Sequence, residues 1–336
     1  MLESGGIGGG PRVELYLRGR AALRARTRQE LDLLGQVVAR DPSFAPGWAM
    51  LSEARREMGL YFERRGQESK KAPLLEGAET AGRKAIELDP NLASGYSGLA
   101  AIVAQRGKFL EAMELYKQGL ARNPEDAELL NNYAQMLRIL GYLKEALGVK
   151  DRLALLEPLI PLYNRQRGEL LLANGKTEAG LSNLVELARG GGVGPYLAAA
   201  YAQQGRFAEA ADTLSHSSTD PTVGFSQTSG DAAAQVMRAR ANRTNPPAQL
   251  PDIYSELNFV YAYAGMPERM LDWPEKALKD GDYRPLEYLW WPTPPSLRKT
   301  ERFKTLMRKA GLVDYWRKNG WPDLCHPVGA DDFACD

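Results

Sequence analysis

Apolar residues recur at spacings of three and four along most of the chain, the stripe that an amphipathic helix buries. Between Glu87 and Pro158 the stripe itself repeats, because Pro90, Pro124 and Pro158 each close a helical run and stand 34 residues apart. The slots between them recur in order. One copy carries Tyr96, Leu99, Ala100, Gly107, Phe109, Ala112, Tyr116 and Pro124, and the next Leu130, Tyr133, Ala134, Gly141, Leu143, Ala146 and Pro158. A turn glycine between two apolar stripes and a proline after the second predict a helix, a tight turn and a second helix. Such a unit leaves one stripe bare, and only a stacked neighbour covers it, so the pattern predicts an all-α solenoid. Ala100, Ala112, Ala134 and Ala146 are core positions whose small size lets neighbouring helices approach closely.

These slots resemble the tetratricopeptide repeat. The resemblance implies a right-handed superhelix of antiparallel helix pairs, with the first helix of each pair lining a concave groove that binds a peptide or protein. Carried onto this chain, the groove slots hold Ser94, Ser97, Ala101, Glu128, Asn131, Gln135, Arg138, Arg165 and Glu169. Family members that grip the carboxylate tails of heat-shock chaperones use two lysines, two asparagines and an arginine across three successive units. Only Asn132 matches that set, so no chaperone-tail clamp is expected.

Outside the two best copies the pattern loosens. Helical periodicity starts near Val13, with Leu15, Leu17, Ala21 and Ala22 on one side and Arg18, Arg20, Arg24, Arg26 and Arg28 around the rest. Thr27 and Glu30 have the spacing of a capping box before Leu31, Leu34, Val37 and Val38. From Pro42 to Pro90 the interval is 48 residues, so LYFERRGQESKKAP reads as an insertion that lengthens one helix and then forms an exposed loop. After Pro158, Gly168, Leu171 and Gly175, then Leu197, Ala198, Tyr201, Gly205, Phe207 and Ala210, still fill repeat slots, with Gly190, Gly191 and Gly192 interrupting them. A loop is expected over 215–230 before a helix over 231–242, and Leu257, Tyr261, Ala264, Gly265 and Met270 suggest one more degenerate pair. Trp273, Trp290, Trp291, Trp316 and Trp321 concentrate near the end and predict a distinct cap. The expected organisation is a flexible segment over 1–11, a repeat array over 12–215, degenerate helices over 216–281, and a cap and tail over 282–336. The stretch LRKTERFKTLMRKAGLVDYWRKNGWPDLC is similar to the ends of repeat arrays in multi-domain bacterial signalling proteins, where the array follows a winged-helix or adenylate-cyclase-like domain. That similarity implies a module of a bacterial regulator. No winged-helix or cyclase motif precedes the repeats, so those activities are not carried over.

Composition narrows the function classes. Lys and Arg total 43 against 42 Asp and Glu, and a formal charge of +1 provides no global attraction to nucleic acid or membrane. The basic terminal helices, the arginine-rich first one above all, are readable either as a site for nucleic acid, anionic lipid or an acidic protein or as the solvated end of a solenoid. No run of 18 apolar residues occurs. Gly175, Lys176 and Thr177 look superficially like a phosphate loop, but Leu170 stands where the loop needs its first glycine, and the flank is helical. No nucleophile elbow or dinucleotide fingerprint has a strand context, so neither an enzyme nor a cofactor is expected. Cys325 and Cys335 leave three readings open: a plain tail, a disulfide-closed one, or a small metal site with His326, Asp331 and Asp332. The chain as given is expected in the cytoplasm, and in the periplasm if it is the exported part of a longer regulator, where the cysteine pair would bond.

Overall fold

A computed structural model describes residues 11–25, 29–63, 68–217, 226–253 and 255–336. They divide into two compact units, one ending at Asn132 and the other running from Tyr133 to Asp336. The fold is the expected all-α array of helix pairs.

The first unit contains α1 (Pro11–Ala25), α2 (Glu30–Arg40), α3 (Ala45–Glu63), α4 (Glu68–Leu88), α5 (Ala93–Gln105), α6 (Phe109–Arg122) and the start of α7 (Ala127–Leu140). Its core contains the predicted Leu34, Val37, Ala100 and Ala112, completely buried together with Ala54, Ala78 and Ala85. The leading residue of a repeat has a second task. Trp48 Nε1 donates to the Pro42 carbonyl at 2.9 Å, and Tyr96 Oη to the Pro90 carbonyl at 2.9 Å, each six residues back. Proline ends the preceding helix, and the next aromatic ties down the turn that results.

Two expectations change here. The insertion lies mainly in helix, since α3 runs for 19 residues and α4 for 21, with Pro73 inside α4; residues 64–67 lie outside the described part. Charged residues at helical spacing are compatible with a long solvated hairpin, which the two helices form by packing on each other. Thr27 also lies outside the described residues, and α2 starts after Gln29, which provides no side-chain cap.

The second unit continues with α8 (Leu143–Leu156), α9 (Pro161–Ala173), α10 (Thr177–Ala188), α11 (Gly194–Gln203), α12 (Phe207–Ser217) and α13 (Gln227–Ala241). Asn164 repeats the tie seen above, donating Nδ2 to the Pro158 carbonyl at 2.7 Å. The helix expected over 231–242 begins earlier, because Ser226 accepts from the Ser229 N–H at 3.2 Å and caps it. Much of the expected loop falls at 218–225, outside the described residues. Beyond α13 the expected degenerate pair is not a regular hairpin. The chain forms 3-10 turns at Ser255–Leu257, Pro267–Leu271 and Arg284–Leu289 with the short α14 (Val260–Tyr263) and α15 (Asp272–Lys279). Then come α16 (Pro295–Arg298), α17 (Glu301–Lys309), α18 (Leu312–Asn319) and a small antiparallel hairpin of β1 (Cys325–Val328) and β2 (Asp332–Cys335), with Cys325 opposite Cys335.

The tryptophan-rich cap is present, and its place within this unit differs from that of a terminal lid. Trp316 stacks at 5.9–6.1 Å from Trp290, Trp321 and Phe333, and the cluster returns to the turn between α7 and α8. There Trp290 Nε1 reaches the Ile139 carbonyl at 3.3 Å, Tyr142 Oη donates to the Gly320 carbonyl at 2.7 Å, and Asp323 N–H to the Gly141 carbonyl at 3.2 Å.

Candidate protein-binding groove

Helix geometry places one set of slots on one face. The residues three and four after the leading aromatic or its equivalent point into the core, as Leu99 and Ala100 do after Tyr96, whereas those one and five places on recur on another face, the one the resemblance assigns to a groove. In the first unit, Ser94 and Glu128 are exposed, and Ala101 and Asn131 are half-buried. Ser97 is buried and accepts a hydrogen bond from Asn132 Nδ2 at 3.1 Å, linking α5 to α7. Asn131 Nδ2 lies 3.5 Å from Asn132 Oδ1.

The sequence reading missed the contribution of α3. Glu53 stands five residues after Trp48, as Ala101 stands five after Tyr96, and that shared offset was the available signal. Arg56 donates Nε and Nη2 to the two oxygens of Glu53 at 3.0 and 2.6 Å, and Nη2 also reaches Glu57 at 2.6 Å. Burial opposes the charge on Arg56, but the Glu53 and Glu57 carboxylates outweigh it and raise its pKa. Glu128 keeps solvent access, yet desolvation by the surrounding chain, followed by the Glu53 and Asp126 carboxylates, pushes its carboxyl up to about 7.

In the second unit the corresponding face is filled from within. Arg138 is 5% exposed and Glu169 2%, and Arg138 Nη1 bonds Glu169 Oε2 at 2.9 Å. Arg165 pairs with the same carboxylate and stacks 4.1 Å from the Tyr196 ring centroid. Onto this cluster the Arg284–Leu289 turn brings Glu287, whose Oε2 accepts from Gln135 Nε2 at 3.4 Å and lies 4.0 Å from Arg138 Nε. Trp291 Nε1 donates to Gln203 Oε1 at 2.8 Å. Burial raises the Glu287 pKa against the opposing pull of Arg138. Gln135, Arg138, Arg165 and Glu169, expected to face a partner, thus face the chain's own segment. Leu286 and Leu289, 1% and 0% exposed, anchor that segment in the core, which is why it covers these side chains.

Lys150 was also missed. It stands 34 residues after Tyr116, in a core slot, and is 1% exposed. Its Nζ donates to Gln166 Oε1 and lies 5.3 Å from the Tyr163 ring centroid. Burial, reinforced by Arg138, lowers its pKa to about 7.

At the tail, Cys325 and Cys335 form a disulfide, so neither sulfur is available as a thiolate ligand. Asp332 is engaged by Lys304 at 2.8 Å and Arg308 at 2.5 Å. The metal reading of this tail thereby loses Cys325, Cys335 and Asp332 of its five candidate ligands. Among the described residues no group of three or more His, Cys, Asp or Glu side chains is placed to hold a metal, and no helix is long and apolar enough to cross a membrane.

No family model matches the chain, and no curated protein matches its sequence. Among solved structures it is similar to a thermophilic tetratricopeptide repeat protein of Thermus thermophilus, at 23% identity over 49% of this chain and 84% of that one, with a TM-score of 0.43. It is similar to PilF of Pseudomonas aeruginosa at 18% identity, covering 70% of this chain and 96% of that one, with a TM-score of 0.45. A third similarity is to PilW, a type IV pilus biogenesis factor, at 18% identity over 67% and 94% of the two chains, with a TM-score of 0.47.

Proposed function

We propose that this chain is a non-enzymatic scaffold that binds a peptide or protein partner on the groove face of its first unit, formed by α3, α5 and the start of α7. The observation that carries the reading is the contrast between the two units. In the second, the slot residues Gln135 and Arg138 meet Glu287 of the chain's own returning segment, whose Trp291 bonds Gln203, whereas Ser94 and Glu128 in the first remain exposed. The binding set is Glu53, Ser94, Ala101, Glu128 and Asn131, with Arg56 held in place by its two carboxylate partners.

The resemblance of residues 297–325 to the ends of arrays in bacterial signalling regulators supports a sensory or assembly role in such a regulator. The Cys325–Cys335 bridge supports an oxidising compartment, because such bonds persist there and are reduced in the cytosol. Non-reducing mass analysis of protein from its source cells tests the compartment, and two free thiols would reject it.

The binding reading is tested by capturing partners with the full chain and mapping the contacts by cross-linking mass spectrometry. Cross-links should fall on α3, α5 and the first turns of α7, and Glu128→Lys with Asn131→Ala should remove the captured partner. Unchanged capture by that variant, or cross-links restricted to the second unit, would reject the assignment.

A further inference from the structure

Hairpin turns in this chain place a residue with positive φ after the first helix, and glycine fills that position at Gly107, Gly141, Gly175 and Gly205, with φ between 71° and 83°. The position after α13 is different. Arg243 has φ 56°, the one non-glycine residue with positive φ among the described residues. The turn is otherwise an ordinary helix end, with Thr244 N–H donating to the Ala239 carbonyl at 2.9 Å and Asn242 N–H to the Arg238 carbonyl at 2.9 Å. Glycine reaches the same geometry at lower cost, so the arginine is held against a local preference.

Arg243 borders a cleft of about 720 Å³ within the second unit, whose lining also includes Arg206, Phe207, Glu209, Arg240 and Asn245. Arg206 is committed: its Nε donates to Glu209 Oε2 at 2.6 Å, its Nη2 to Glu209 Oε1, and its guanidinium lies over the Tyr201 ring. That pair neutralises the one carboxylate among the lining residues. Arg240 lies 5.9 Å from the Phe207 ring centroid, and among the described residues neither Arg240 nor Arg243 has an ion pair. The cleft therefore carries two guanidinium groups with no carboxylate partner among the described residues, beside the first turn of α12, where the helix dipole adds positive potential. Its size is that of a small-ligand site.

We propose that this cleft binds an oxyanion group, a carboxylate or a phosphate, with Arg240 and Arg243 pairing with its oxygens and Asn245 bordering them. Planar guanidinium groups match both anions in fork geometry. The site belongs to the second unit alone and does not depend on what the first unit binds.

The test titrates the full chain with a tetraglutamate peptide and, separately, with inorganic phosphate, by calorimetry at low and high salt. Binding of at least one probe is expected, weakening as salt rises. Arg240→Ala and Arg243→Gly should each reduce its affinity about tenfold, the scale of one lost charged hydrogen-bonding group. Arg243→Gly should melt no lower than the parent, because glycine accepts the same backbone geometry, and this separates loss of a ligand contact from loss of fold. Binding of the peptide alone identifies carboxylate as the ligand chemistry, and binding of phosphate alone identifies phosphate. Absence of binding by both probes, or equal binding by parent and variants, would overturn the proposal.

Discussion

Trp316 donates its indole Nε1 to the backbone carbonyl of Leu140 at 2.9 Å, a bond that joins residues 176 positions apart. Leu140 is the last residue of α7, where a helix carbonyl has no partner within the helix. Three residues later the same return of the chain starts α8, because Asp323 Oδ2 accepts from the Lys144 N–H at 2.9 Å. The cap thus satisfies both ends of the turn between two repeat helices.

Removing the indole donor should therefore cost more than a surface change. Trp316→Phe keeps a ring but leaves a buried carbonyl unpaired and should destabilise by about 1 to 3 kcal/mol. Trp316→Ala adds a cavity and should cost about 3 to 5 kcal/mol. Asp323→Ala, which removes the bond to the Lys144 N–H and an exposed pair with Lys144 Nζ at 3.5 Å, should cost about 1 kcal/mol. Denaturant melts of the three variants check the order, and equal midpoints for Trp316→Phe and the parent would refute the role given to the bond.

Two turn glycines separate strain from crowding. Gly175 has φ +73° with open space where a methyl group would stand, so Gly175→Ala should cost about 1 to 2 kcal/mol from backbone conformation alone. Gly141 has φ +83°, and a Cβ there would meet Trp290 Cζ2 at 2.8 Å and Pro322 Cβ at 2.9 Å. Gly141→Ala should carry the same strain plus about 1 to 3 kcal/mol of overpacking. Comparable losses in the two variants would show that the cap does not press on this turn in solution.

Lys150 makes stability depend on pH in a defined direction. Its pKa falls from 10.5 to about 7 on folding, so between those values the unfolded chain binds the additional proton. Stability then rises with pH through this window, and below about 7 the penalty of the buried charge is fully present. Urea melts from pH 7 to pH 9.5 should show this rise in the parent. Lys150→Met should flatten the slope, and an identical slope in the variant would assign the effect to other groups.

Reduction of the Cys325–Cys335 bridge frees a loop with a sequence separation of 10. In the chain-entropy account, closing a loop of that length contributes about 2 to 3 kcal/mol. Because the hairpin carries Phe333, packed on Trp316 and Trp321 at 5.9 Å, the loss should appear in tryptophan fluorescence. Thermal melts with and without reductant, followed by that fluorescence, should show a lower midpoint under reduction; coincident curves would remove the bridge from the stability of the cap.

What was legible in the sequence is what depends on neighbours along it. The 34-residue interval, Gly107 and Gly141 at their turns, and the fully buried Ala100, Ala112, Ala134 and Ala146 follow from helical period and turn chemistry, both local properties. The groove slots came from the family resemblance; helix spacing determined only which of those residues share a face. Which slots stay open did not follow. Gln135 meets Glu287 across 152 positions, and Trp290 meets Ile139 across 151. Clustered tryptophans announce that a large apolar surface must be covered, but hydrophobic attraction has no direction and names no partner. Only the tertiary structure decided that the chain's own carboxylate and indoles return to α7 in the second unit, whereas Ser94 and Glu128 are exposed in the first.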